Sequence, residues 1–391
     1  MEIWIVNNFE PFSNDSDKTW RYGFLAKELN KCGIKTIRFK SDWDHFNKKR
    51  IICNENDRVV YKTYGYNRNR SLARIVHHKL EPRSLKLEFQ KRKSPDLIIT
   101  SIPTIEIACF IKGFCLINKI PYIIDIRDQW PDQYLQIVGS KLSFIIKPYY
   151  NYLLRKVGKV LRNAEAVSCI SGSYQNWISQ QFNIKNSHLF PIGIDCKKLP
   201  LNSLTNRRDL TNKVKLLFVG SLTKAFDFSV MFQFLKRNAN FNLTICGSGP
   251  MLETLRDANM KNVVLKGWLN GKQLSSEFEN ADYGITPYSS KNTISLPNKP
   301  YEYLAKGLPI INSLGGDLSD LIQKNDVGYN YHNIGELDAL KAKIMDQTKY
   351  LRLVKSIRKF ISTGKYTVDK IYPNFADLIY NCALDYNKNL K

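Results

Sequence analysis

The chain has 391 residues, 43% of them apolar and 24% charged, and its 59 Lys/Arg against 35 Asp/Glu leave a formal net charge of +24. That length predicts two to three domains, and the ordinary apolar content excludes wholesale disorder, collagen and coiled coil. The cationic surplus calls for an anionic partner: nucleic acid, an acidic lipid surface or a phosphorylated ligand. In chain order, Ile3–Val6, Thr36–Phe39, Leu97–Thr100, Tyr122–Ile126 and Ala166–Ile170 are short apolar runs, several without polar alternation. Such runs predict strands buried on both faces. Between them lie helical periods, as in Trp20, Phe24, Leu25 and Leu29, with Gly33 placed to end that helix. Residues 196–213 lack an apolar period and read as a linker. The strand pattern restarts at Lys215–Val219, Asn242–Cys246, Val263–Lys266, Tyr283–Pro287, Ile310–Asn312 and Gly328–Tyr331. From Tyr350 onward the chain reads as helical, with Pro373 expected to redirect the last helix. The pattern predicts an α/β protein of two doubly wound parallel sheets, with ligands at the carboxyl ends of the strands and a cleft between the domains. The expected boundaries are 1–195, 196–365 and a helical segment 366–391 packing back on the first domain.

Eight scattered cysteines form no C-x-x-C pair, and His45, His77, His78, His188 and His332 show no metal-ligand spacing. The cysteines therefore read as small buried hydrophobes of a reducing compartment. Met1 to Val6 lack the basic and long apolar regions of a signal peptide, and Pro103, Glu106, Lys112, Lys119 and Pro121 interrupt the most apolar stretch. No transmembrane helix is expected, and the chain reads as cytoplasmic.

Three stretches carry chemistry. Phe218-Val219-Gly220-Ser221-Leu222 runs from a strand into a glycine, where backbone and a following helix N-terminus approach a phosphate, or where the chain simply turns. Cys246-Gly247-Ser248-Gly249-Pro250 is a second such turn, without the full dinucleotide fingerprint. The third is Ser295-Leu-Pro297-Asn-Lys299-Pro-Tyr-Glu302-Tyr303-Leu-Ala305-Lys-Gly307-Leu-Pro309, a loop, a short helix over Tyr301–Ala305 and a strand. Lys299 and Glu302, at i and i+3, share a helical face. A lysine there meets a diphosphate as a point charge, and a carboxylate accepts from ribose hydroxyls. The alternative is an ordinary surface ion pair.

In these stretches the sequence resembles the retaining nucleotide-sugar glycosyltransferases of family 4, over most of the chain. Asp125-Ile126-Arg127-Asp128-Gln129-Trp130-Pro131 resembles the D-x-R-D-x-W-P variant of bacterial O-antigen and capsule transferases. Arg21, the Leu25–Leu29 run, His45 and Ile192-Gly193-Ile194-Asp195 fit the same group. The resemblance implies the GT-B fold, two Rossmann-like domains with the active site in the cleft. It implies that Glu302 binds the donor ribose and Lys299 its diphosphate. Gly220, Ser221 and Gly247 would approach the phosphates, and Pro287 and Tyr288 the base or ribose. Arg127 and Asp128 would act on the donor sugar or the acceptor, Asp128 orienting the acceptor hydroxyl or serving as base. The leaving diphosphate gathers charge that preorganised amides and Lys299 stabilise. No metal and no other cofactor is implied.

The sequence departs from the family at three places. Ile294 stands where members often carry a first Glu, Ser221 where many carry Arg, and Asn14 to Asp17 replace an N-terminal Gly-Gly loop. Asp15-x-Asp17 and Asp42-x-Asp44 match the short D-x-D metal motif of a different transferase fold and read as solvated loops.

Two segments concentrate charge. Residues 67–93 hold nine Lys/Arg, and residues 141–162 interleave six Lys/Arg, among them Lys147 and Arg155, with Phe144, Ile145, Tyr149, Tyr150 and Tyr152. Cations among aromatics describe an interfacial segment on an anionic membrane surface, or else a core helix with a solvated basic face. No recognition helix, RNP or knuckle motif is present, so nucleic acid is not expected. The whole predicts a glycosyltransferase carrying sugar from a nucleotide-sugar donor to a polyisoprenoid-diphosphate-linked or glycan acceptor, peripheral at the inner face of the plasma membrane. Arg21, His45, Lys147 and Arg155 are assigned to acceptor or membrane. Rival readings are a nucleotide-sugar 2-epimerase, a silent subunit of a transferase complex and a nucleic-acid binder.

Overall fold

A computed structural model describes the chain except residues 11–19, 46, 54–56, 70, 133–142, 197–209, 211–212, 291–293 and 390–391. Most of the expected linker and the Asn14–Asp17 stretch lie outside the described residues. Contacts divide the chain into two units, Met1–Pro191 with Ile371–Lys391, and Ile192–Lys370.

Unit 1 is built on a seven-stranded parallel sheet. Its strands are β1 (Glu2–Val6), β2 (Lys35–Ser41), β3 (Arg58–Tyr61), β4 (Leu97–Ile102), β5 (Tyr122–Ile126), β6 (Ala166–Cys169) and β7 (Ser187–Leu189), in the order β3-β2-β1-β4-β5-β6-β7. β4, β5 and β6 are buried at every position, as expected of strands covered on both faces. The edge strands β3 and β7 are short, β3 alternating part-buried with buried residues and β7 largely exposed, and apolar runs did not reveal them. The helices are α1 (Arg21–Lys31), α2 (Leu72–Gln90), α3 (Ile105–Asn118), α4 (Ser143–Arg162) and α5 (Gly172–Phe182). Trp4, Phe39 and Phe89 pack with ring centroids 4.5 to 5.1 Å apart and fill the space between the sheet and α2. The order reverses between β1 and β4, so the crest above them is the switch point of this sheet.

Unit 2 repeats the plan with six parallel strands, β8 (Val214–Val219), β9 (Phe241–Cys246), β10 (Val263–Gly267), β11 (Tyr283–Thr286), β12 (Ile310–Asn312) and β13 (Gly328–Asn330), in the order β10-β9-β8-β11-β12-β13. Its helices are α6 (Ser229–Arg237), α7 (Leu252–Asp257), α8 (Gly271–Asn280), α9 (Asn298–Ala305), α10 (Asp317–Asn325), α11 (Ile334–Met345) and α12 (Gln347–Ser362). Two clusters of buried side chains, one around Phe218, Phe234 and Tyr283 and the other around Tyr303, Leu304 and Ile310, form its core. The switch point falls between β8 and β11.

The last helix, α13 (Val368–Asn389), carries the chain back to unit 1. Phe375 stacks on Phe190 at 4.5 Å and Tyr372 on Phe24 at 5.3 Å. Pro373 does not interrupt it: the proline sits inside the helix near its start, and the helix continues to Asn389.

Candidate functional site

The switch point of unit 2 is assembled from the loops after β8 and β11 and from the start of α9. Pro297, in an extended conformation, precedes the helix, which therefore begins three residues before the expected Tyr301 and includes Lys299. Lys299 Nζ donates to Glu302 Oε2 at 2.8 Å, and the two side chains are 28% and 26% exposed. The i, i+3 pair of the sequence is thus a half-exposed ion pair on the first turns of α9. One residue on, Tyr303 is wholly buried. Its hydroxyl accepts from the Val219 amide at 2.9 Å and donates to the Ile285 carbonyl at 3.3 Å. Tyr303 therefore pins α9 to the carboxyl ends of β8 and β11 and sets where Lys299 and Glu302 stand. The sequence held Tyr303 inside its motif but gave no sign of this clamp, whose partners lie 84 and 18 residues away.

The neighbouring loops explain one glycine and correct one assignment. The Gly220 amide donates to the Cys246 carbonyl at 3.0 Å, and the Gly247 amide to the Gly267 carbonyl at 2.6 Å. A Cβ on Gly247 would fall 1.8 Å from the Gly220 carbonyl oxygen. Gly247 is required because one loop packs directly on the other, a reason for the glycine that needs no ligand. Ser221 is exposed beside it. Tyr288 is the correction: its ring is buried against Phe226 at 4.6 Å, and Pro287 is buried beside it. The Pro287 carbonyl accepts from the Asp227 amide at 2.7 Å. The helix expected to follow Gly220 directly starts only at Ser229.

Behind α9 the carboxyl ends of β11, β12 and β13 are tied by a polar ladder. Thr286 donates to Asn312 Oδ1 at 2.8 Å, and Asn312 Nδ2 to Asn330 Oδ1 at 2.8 Å. Ser295 donates to Asp317 at the start of α10. Ile294, in place of the family's first Glu, is half-buried against the core.

In unit 1, Arg127 and Asp128 follow β5. Arg127 donates to Glu10 Oε1 at 2.8 Å, and its guanidinium lies 5.6 Å from the Tyr22 ring centroid. Glu10 also accepts from the Tyr22 amide at 2.9 Å, and burial holds its carboxyl above the usual range against the pull of Arg127. Glu10 was not legible in the sequence, because its partner lies 117 residues away. Asp128 Oδ1 accepts from the Gln129 amide at 2.9 Å and shapes the turn.

Arg21 is not a surface cation. Its guanidinium grips Asp125 with two hydrogen bonds of 2.8 and 2.9 Å and donates to the Phe190 and Pro191 carbonyls. Asp125 also accepts from Tyr22 and Ser168, and it is fully buried. Burial works against its ionisation, and Arg21 with the donated hydrogen bonds overcomes this to hold its carboxyl below the usual range. Arg21 is thus a buried pillar under the crest, out of reach of a membrane. His45 is half-buried, with Nδ1 2.6 Å from the Tyr66 hydroxyl. Lys147 and Arg155 are exposed on α4. That helix is split: Leu153, Val157, Val160 and Leu161 enter the core, while Phe144, Ile145, Tyr149 and Tyr152 face outward.

The fold brings together one cluster that histidine spacing did not suggest. His77, His78 and Glu81 on α2 place one ligand atom each within 4.8 Å of one another. His77 Nδ1 accepts from the Gly65 amide at 3.1 Å, which assigns the proton to Nε2 and turns a donor, not a lone pair, toward Glu81. His77 is therefore not set to ligate a metal there.

Comparison with known proteins agrees with this architecture. The chain aligns with sucrose-phosphate synthase from Thermosynechococcus elongatus at a TM-score of 0.74 and 16% identity, over 97% of this chain and 98% of that one. It aligns with Anabaena HepE in complex with UDP at 0.67 and 12%, over 97% and 100%. It aligns with WaaG, a glycosyltransferase involved in lipopolysaccharide biosynthesis, at 0.68 and 12%, over 97% and 99%. The two parallel-sheet units are thus those of the GT-B fold. Residues 213–347, which include the switch point of unit 2, match the model of the glycosyl transferases group 1, and this segment is a glycosyl transferase group 1 domain. Among curated proteins, the chitobiosyldiphosphodolichol beta-mannosyltransferase of Candida albicans is 23% identical over 263 residues. That match spans 60% of this chain and about half, 56%, of the relative.

Proposed function

We propose that the chain is a retaining glycosyltransferase that moves a sugar from a nucleotide-sugar donor to a lipid-linked or polysaccharide acceptor in surface-polysaccharide assembly of the O-antigen or capsule kind. One observation carries the reading: Lys299 and Glu302 stand half-exposed on the first turns of α9, clamped at the switch point of a group 1 domain. Switch points are where open parallel sheets take nucleotides. In this reading Lys299 meets the donor diphosphate and Glu302 the ribose. Main chain of Gly220, Ser221 and Pro287 borders the nucleotide, and Arg127 and Asp128 serve the sugar and acceptor. The mannosyltransferase relative is named for a diphosphodolichol substrate, and WaaG for lipopolysaccharide, which supports a lipid-linked acceptor.

Peripheral attachment to an anionic membrane at the cytoplasmic face belongs to the same reading. Among the described residues no helix is long and apolar enough to cross a membrane. Phe144 and Ile145, 69% and 60% exposed beside Lys147, are a natural interfacial edge. The reaction calls for no metal or redox cofactor, so turnover is expected to survive a chelator. The deciding experiment is a thermal-shift screen against nucleotide sugars, followed by product analysis. Stabilisation by one nucleotide sugar and transfer to a polyprenyl-diphosphate glycan support the reading. An epimerised sugar formed without an acceptor, or no stabilisation by any nucleotide sugar, refutes it.

A further inference from the structure

The carboxyl ends of the edge strand β3 and its neighbour β2 carry a cluster of cations and imidazoles that the donor site does not use. Tyr66 is at its centre. Lys48 Nζ lies 4.8 Å and Arg74 Cζ 5.7 Å from the centroid of its ring. His77 packs edge-on at 5.0 Å, with His45 at 6.0 Å and His78 at 6.1 Å. The backbone is shaped for this arrangement. Gly65 holds φ +80°, where a Cβ would press on the Trp43 ring at 3.0 Å. Lys48 holds φ +54°, a conformation that side-chain-bearing residues adopt at a cost.

Neither cation is hydrogen-bonded to a carboxylate among the described residues, and Asp44 acts on Lys48 only through its field. Among the described residues, every hydrogen-bond partner of the Lys48 and Arg74 side chains is neutral. Lys48 donates to the His45 carbonyl and Asn69 Oδ1, and Arg74 to His78 Nε2 at 3.2 Å and the Asn69 carbonyl at 3.0 Å. The nearby carboxylates are engaged elsewhere. Asp42 takes Arg50 and Thr63, Asp44 takes Asn47, and Glu81 faces Asn8 and the two histidines. Burial, then Arg74, depress the Lys48 ammonium against the pull of Asp44. Burial, then Lys48, Arg74 and His78, bring the His45 imidazole down to about 3. Burial lifts the Glu81 carboxyl to about 7, which dilutes its negative charge behind the cluster. α2 starts here with no acidic residue in its first turn, so its dipole adds positive potential at the same place.

We infer that Lys48 and Arg74, framed by Tyr66, His45 and His78, form a binding site for a phosphate or diphosphate group. A lysine and an arginine converging without a carboxylate suit an oxyanion with several acceptor faces. The site belongs to unit 1, whereas the nucleotide site belongs to unit 2. Resting on the proposed transfer reaction, the group it takes is the diphosphate that joins a lipid carrier to its glycan.

The test is calorimetric titration of the full chain with inorganic pyrophosphate. Lys299→Ala removes the competing cation of unit 2 and is the reference. Adding Lys48→Gln and Arg74→Gln to it is expected to weaken pyrophosphate roughly tenfold or more, as for loss of charge-assisted hydrogen bonds. Adding Lys48→Arg and Arg74→Lys keeps most of the affinity. Equal affinity in reference and neutral variant overturns the site, as does equal loss in the charge-keeping variant. These results stand whether or not a nucleotide sugar binds, so failure here is separable from failure of the proposed reaction. Vesicles of phosphatidylcholine doped with farnesyl diphosphate, or with phosphatidylglycerol, then identify the source. Binding that depends on Lys48 and Arg74 only with farnesyl diphosphate supports the carrier. The same dependence with phosphatidylglycerol overturns that assignment in favour of a headgroup.

Discussion

Replacing Glu302 by Ala separates ligand binding from folding. The carboxylate is bonded to Lys299 at 2.8 Å, but both side chains are about a quarter exposed, so water screens the pair. Exposed ion pairs contribute about 0–1 kcal/mol, which for a unit of this size corresponds to a Tm change of a few degrees at most. The same weakness makes the pair easy to open when a ligand arrives. A ribose then offers hydroxyl donors to the freed carboxylate, and a diphosphate offers oxygens to the freed ammonium. Hydrogen bonds to charged groups are worth about 1.5–3 kcal/mol, so Glu302→Ala should weaken the nucleotide sugar by roughly 10- to 100-fold. Lys299→Ala should do the same through the diphosphate. Calorimetric titration with the donor found by screening, alongside a thermal scan, reads both quantities. Unchanged affinity in either variant, or an affinity loss matched by collapse of the fold, would refute the reasoning.

Four further outcomes follow from the geometry. Tyr303→Phe strips buried partners from the Val219 amide and the Ile285 carbonyl. It should cost about 1–3 kcal/mol and loosen donor binding through α9, and an unaltered melting curve would speak against the clamp. Arg21→Ala leaves Asp125 charged and buried, for a loss of about 3–5 kcal/mol. Asp125 ionises below its usual range when folded, so its contribution is present above the unfolded pKa of about 3.9 and is lost as pH falls through the depressed folded value. A pH–stability profile should therefore be flatter at its acid end in Asp125→Asn; an identical acid limb would contradict the pairing. Phe144→Ser with Ile145→Ser should reduce sedimentation with phosphatidylglycerol vesicles while leaving the melting temperature in place, because both side chains already face outward.

The centre of each sheet was legible because strands buried on both faces are written as unbroken apolar runs. β4 and β5 need no tertiary information to be seen. β3 and β7 were not legible, because an edge strand of three or four residues is too short for its pattern to rise above a loop. In the site, Lys299 and Glu302 were legible because their relation is local, three residues on one helix. Tyr303, Glu10 and the Arg21–Asp125 pair were not, because each is defined by a partner 84, 117 or 104 residues away. Gly247 shows the opposite case. A glycine after a strand announces a close backbone approach, but the sequence does not say whether a phosphate or the protein's own Gly220 does the approaching.

The same distinction bears on the net charge of +24, which says that anions matter without saying where. In unit 1 the fold sorts its cations by partner. Arg21 and Arg127 are buried against Asp125 and Glu10, and their charge is neutralised inside the protein. Lys48 and Arg74 converge on one tyrosine with only neutral hydrogen-bond partners among the described residues, and Arg74 disfavours the charge on Lys48 more than Asp44 favours it. A fold that keeps two like charges together, over a helix N-terminus and beside imidazoles driven neutral, holds electrostatic energy that an incoming oxyanion releases. Lysine and arginine content cannot reveal that difference. It depends on which carboxylates the chain's return through β1, β2 and β5 brings beneath which cations.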